Sequence, residues 1–150
     1  MKNKISLVAV GAIFALSGCT ASSVIQSNES GVNLTVNDQG SMLIEEPVSK
    51  TYSTTSFGQY KFKAAKEGKE PMYGLIPLKF NGGYLAADIL FFAPAMFFNL
   101  REVYPFYEFD LDAGVVKYKK NEEDEWLTYT PTEAEVQHAK DYFMKQTAAQ

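Results

Sequence analysis

The chain has 150 residues, 46% of them hydrophobic, and a net charge of −4. That balance suits one domain-sized core and argues against nucleic acid or an anionic lipid surface as the partner of the folded part. A single cysteine (Cys19) and a single histidine (His138) exclude an intramolecular disulfide and a zinc centre of the Cys/His kind, while 11 Phe and 9 Tyr favour strands around an aromatic core.

The N-terminus reads as a targeting segment. Lys2 and Lys4 precede twelve residues, Ile5 to Leu16, that are apolar or small apart from Ser6. This is the length of a signal-peptide core and short for a membrane span. The run Leu16-Ser17-Gly18-Cys19 follows. It resembles the lipobox of bacterial lipoproteins, in which small residues let the backbone enter a protease at the membrane face. The resemblance implies a diacylglycerol (palmitate-type chains) on the Cys19 thiol, cleavage between Gly18 and Cys19, and acylation of the new amine. The covalent lipid is the only cofactor expected. Several acyl chains anchor stably, because each buried methylene contributes about 0.8 kcal/mol. Thr20 stands where Asp favours inner-membrane retention in Gram-negative lipoproteins, so the resemblance implies an outer-membrane anchor facing the periplasm. Removing residues 1–18 takes away two lysines and no acid, which shifts the net −4 to −6.

The expected organisation is a signal peptide over 1–18, a flexible tether over 19–30 and one globular domain over 31–150. The tether rests on the small, polar residues Thr20 to Ser30. Val32, Leu34 and Val36 then alternate with polar residues, a half-buried strand. Asn37-Asp38-Gln39-Gly40 is a turn, Met42-Leu43-Ile44 pairs back, and Pro47 interrupts. Thr51 to Thr55 is β-rich, Tyr60, Phe62 and Ala64 alternate with Lys61 and Lys63, and Lys66 to Pro71 is a charged loop. The stretch Ser27 to Asp38, with Glu46-Pro47-Val48 and Gly58 to Gly68, is similar to PEGA-type domains over roughly residues 27–75. Asn28-Glu29-Ser30 stands where that family usually has Pro-x-Gly. The resemblance implies a small non-catalytic β-sandwich and carries no active residue.

Met72 to Phe80 is extended, with Pro77 suited to an edge strand or bulge, and Asn81-Gly82-Gly83 closes it. Residues 84–100 are apolar on all sides except Asp88 and Asn99. As a helix, seventeen residues reach about 26 Å, just short of a bilayer core of about 30 Å. The expectation is an apolar helix near 88–100, capped by Asp88 and kinked at Pro94. It is either buried or presents Phe91, Phe92, Met96, Phe97 and Phe98 as a contact surface.

Residues 104–120 form a hairpin around Asp112-Ala113-Gly114, with Leu111 opposite Val116, Phe109 opposite Tyr118, Asp110 opposite Lys117 and Glu108 opposite Lys119. Asn121 to Glu125 is a solvated acidic loop without the ligand spacing or glycine of a calcium loop, and Trp126 to Tyr129 is a strand. A helix follows over about 131–146, with Thr130 as N-cap, Pro131 at its first position and Glu133 completing a capping box. Its apolar stripe is Val136, Ala139, Tyr142 and Phe143, and His138 lies off the stripe.

The fold class is therefore α+β: a small antiparallel β domain with an apolar helix and a C-terminal helix. Three functions fit. The first is a non-catalytic, lipid-anchored envelope lipoprotein with a structural or partner-binding role, its partners being the membrane and an envelope protein. The second is a membrane-contacting or lipid-binding protein using 84–100. The third is an envelope hydrolase using Asp88, Glu108, Asp110 or Asp112, since glycoside hydrolysis needs two carboxyls about 5–9 Å apart. No catalytic or metal-ligating residue is assigned.

Overall fold

A computed structural model describes residues 20–53, 59–80 and 101–149. Eleven strands and one helix occur among them: β1 (Thr20–Ser27), β2 (Val32–Val36), β3 (Ser41–Ile44), β4 (Val48–Ser53), β5 (Lys61–Ala65), β6 (Met72–Leu75), β7 (Leu78–Phe80), β8 (Arg101–Val103), β9 (Phe106–Asp110), β10 (Val115–Lys119), β11 (Leu127–Tyr129) and α1 (Glu133–Ala148). The class is mixed α+β. The expected helix near 88–100, including Asp88 and Pro94, lies outside the described residues.

The chain weaves between two sheets. One has the order β11-β10-β9-β1-β4, the other β3-β2-β5-β6, and β7 pairs with β8 as a separate ribbon. Period-two alternation buries one face of β2, β5 and β9. Val32, Leu34, Val36, Phe62 and Ala64 from the second sheet meet Ile25, Tyr107, Phe109 and Val116 from the first in one hydrophobic cluster. The rings of Phe62 and Phe109 join the sheets edge to face, 5.0 Å between centroids. Such a pair adds about 0.5–1.5 kcal/mol beyond its buried area.

The segment expected to be a tether is instead β1. It lies between β4 and β9, antiparallel to β4 with Thr20 opposite Ser53, and parallel to β9 with Val24 opposite Phe106. Its composition misleads because Ser23 and Ala21 supply a small-residue inner face around Ile25, which is 0% exposed. The parallel pair also makes this sheet mixed rather than antiparallel.

The hairpin register differs from the expected one by two residues. Asp110 lies opposite Val115, Phe109 opposite Val116, Glu108 opposite Lys117 and Tyr107 opposite Tyr118. The inner and outer faces are as expected, because a two-residue slip preserves them. Gly114 takes the left-handed conformation (φ +67°) that closes the turn.

Helix α1 starts two residues later than expected. Thr132 is the N-cap: its hydroxyl accepts from Glu135 N, and the Glu135 carboxylate accepts from Thr132 N (2.8 Å). Tyr129 is still paired with Val116 in β11, and Pro131 packs on Gly74 of β6. A β-carbon on Gly74 would lie 2.7 Å from Pro131 Cγ and 2.9 Å from Phe62 Cε1. The linker thus passes over β6, and α1 can begin only after it has crossed. Ala139 and Phe143 then bury against the second sheet, while Val136 and Tyr142 are half-buried and His138 is exposed.

Candidate functional site

The residues singled out from sequence as functional lie outside the described residues: Gly18 and Cys19 at the expected cleavage and lipidation site, and Phe91, Phe92, Met96, Phe97 and Phe98 as the expected contact surface. The strands flanking them are described. Thr20, directly after Cys19, opens β1. Phe80 and Arg101, on either side of residues 81–100, are opposite each other in the β7–β8 ribbon. Among the described residues no helix is long and apolar enough to cross a membrane.

The carboxylates of the hydrolase reading that are described are occupied by other contacts. Lys117 Nζ lies 2.9 Å from Glu108 and 3.0 Å from Asp110, and Gln26 donates to the other Glu108 oxygen at 2.6 Å. The Ala113 N–H, with help from Lys117, holds Asp110 below the usual carboxylate range. An acid so held is ionised at neutral pH and has no proton to donate to a leaving group. Asp112 pairs with Lys69 at 2.5 Å, and Lys69 and Lys66 both bind Glu29. Those two ammonium groups, Lys66 first, bring Glu29 down to about 2. This network ties together the β1–β2, β5–β6 and β9–β10 turns. No group of His, Cys, Asp and Glu able to hold a metal occurs among the described residues.

A groove of about 350 Å³ runs between the outer face of β5–β6 and the C-terminal half of α1, lined by Lys63, Tyr73, Phe143, Met144, Thr147 and Ala148. Alternation in β5 turns Phe62 and Ala64 inward and so puts Lys61 and Lys63 on this outer face. The Tyr73 ring packs near Phe143 (6.3 Å between centroids), with Lys63 Nζ 6.0 Å and Lys140 Nζ 5.7 Å from the Tyr73 centroid. Lys61 Nζ lies 4.8 Å from the Tyr142 ring. Met144 is 61% exposed at the groove wall. The arrangement is an aromatic floor, an adaptable methionine wall and a cationic rim.

Sequence reasoning placed Phe143 on the buried stripe of the helix and missed Lys63, Tyr73, Lys140 and Met144 as its neighbours. The alternation at Lys61 and Lys63 was the available signal. What it lacked was the knowledge that α1 returns to cover that face.

Three further polar side-chain atoms among the described residues lie inside the core. Tyr107 OH is satisfied, donating to Pro77 O (2.6 Å) and accepting from Tyr104 N (2.8 Å). Tyr52 OH and Ser23 Oγ are buried and make no hydrogen bond. Burial raises the Tyr52 phenol well above its ordinary value.

No protein-family model, curated protein or solved structure matches this chain.

Proposed function

We propose that the chain is a non-catalytic, lipid-anchored lipoprotein of the bacterial envelope, held by acyl chains on Cys19 and binding a partner protein through its folded domain. The observation that carries the reading is Leu16-Ser17-Gly18-Cys19, behind Lys2, Lys4 and an apolar run of signal-peptide length. The lone cysteine stands where lipid attachment needs it. The anchor places the domain at the outer membrane, facing the periplasm. On the likeness to PEGA-type domains, residues 27–75 serve as a non-catalytic β-module, a reading supported by the five strands they contain, β2 to β6. Because β1 begins at Thr20, the lipid and the first sheet are separated by no spacer, and the domain rides close against the bilayer. Expression with an alkyne-tagged palmitate tests this: the wild-type chain takes up label, and Cys19→Ala abolishes both label and cleavage. Label retained in Cys19→Ala would sink the anchor.

A second reading adds membrane contact by residues 84–100. The observation favouring it is that β8, which follows this segment, packs against β1, which follows Cys19. Replacing residues 1–19 with an ordinary cleavable secretory signal separates the two. A protein that becomes fully soluble in the periplasm removes membrane contact by 84–100, whereas one still bound to membranes supports it.

A further inference from the structure

At the groove between β5–β6 and α1, two lysines lie against an aromatic ring and away from any carboxylate of the described residues. Lys66, Lys69, Lys79 and Lys117 each meet a carboxylate. Lys63 and Lys140 form no ion pair among the described residues; their ammonium groups lie beside the Tyr73 ring instead. No acidic residue lines the groove. In a chain of net charge −4, two cations left without carboxylates at an apolar slot are a local reversal of sign. The slot is open and shallow. That shape suits one inserted side chain from a protein segment better than an acyl chain, which needs an enclosed channel to escape water.

We propose that this groove binds an acidic segment of a partner protein. One apolar side chain of the segment inserts between Tyr73, Phe143 and Met144, and a neighbouring carboxylate sits against Lys63 and Lys140. Tyr73 and Phe143 provide a rigid aromatic surface at small entropic cost, and the unbranched Met144 adapts to the inserted group. The two lysines select for negative charge and reject a basic segment. This gives the partner-binding half of the proposed function a surface and a partner chemistry, and it is independent of the anchor.

The test uses the full chain purified from membranes in dodecyl maltoside, with the Met144 methyl resonance as reporter. The probe is an acetylated, amidated peptide, Glu-Glu-Phe-Leu-Glu-Glu, and its counterpart has Lys at every Glu. The acidic peptide is expected to shift the Met144 methyl saturably, and the basic one to leave it unmoved. Lys63→Gln with Lys140→Gln weakens the binding about tenfold, in line with two partly exposed charge contacts. Lys120→Gln, on the β10–β11 loop, leaves it unchanged. Equal affinity for the double variant and the wild type, with both melting alike, overturns the proposal. So does a methyl shift produced by phosphatidylglycerol doped into the micelles and not by the peptide, which assigns the groove to lipid headgroups. Failure here leaves palmitate uptake at Cys19 untouched, so loss of the groove and loss of the anchor are distinguishable.

Discussion

Replacing Ile25 with Ala separates a strand from a tether. Ile25 is fully buried on the inner face of β1, within the cluster that includes Phe62 and Phe109. The substitution deletes three buried carbons and leaves a cavity between β4 and β9, the strands that flank β1 in the sheet. Such truncations cost about 2–5 kcal/mol. With a urea dependence of about 2 kcal/mol per molar, the unfolding midpoint should fall by roughly 1–2.5 M. Ser22→Ala, on the exposed outer face of the same strand, should stay within about 0.5 kcal/mol of the wild type. Equilibrium urea unfolding followed by tyrosine and tryptophan fluorescence reads both. A midpoint for Ile25→Ala indistinguishable from that of Ser22→Ala would refute the placement of β1 in the core.

Three other outcomes follow from contacts elsewhere. Gly74→Ala puts a β-carbon into the Pro131 and Phe62 contact and should cost roughly 1–3 kcal/mol in the same urea assay; a neutral result means the linker does not cross β6 there. Tyr52→Phe removes a buried hydroxyl that has no partner and should be neutral or slightly stabilising, while Tyr107→Phe strands Pro77 O and Tyr104 N and should cost about 1–3 kcal/mol. Thermal melts that rank these two in the opposite order contradict the hydrogen-bond assignment. The Glu29 carboxyl is depressed in the folded state, from 4.5 to about 2. Its contribution is therefore present above pH 4.5 and is lost as pH falls through about 2. Urea midpoints across that window should fall less steeply for Glu29→Gln than for the wild type, and parallel curves would show that the Lys66 and Lys69 contacts do not act on stability.

The strands of the second sheet were legible because their inner faces are large and apolar. Val32, Leu34, Val36, Phe62 and Ala64 mark period two without ambiguity, and Asn37 to Gly40 and Lys66 to Pro71 punctuate them. β1 was not, because its inner face carries Ala21 and Ser23 beside Ile25 and the strand is buried by its neighbours rather than by its own bulk. Hairpin faces were legible but not register, since the two registers differ by an even slip and Lys117 reaches Asp110 from opposite Glu108. The start of α1 turned on a contact distant in sequence, Pro131 on Gly74, which moved the N-cap from Thr130 to Thr132. The groove was hidden for the same reason. Lys63, Tyr73 and Lys140 are brought together only when the last helix folds back over the second sheet.

The most direct test of the proposed function is the mass of the mature N-terminus after expression in a Gram-negative host. The account predicts a chain that begins at Cys19 and carries a diacylglyceryl group on the thiol, with a further acyl chain on the amine. A mature chain that begins at another residue, or at Cys19 with a free thiol, contradicts it.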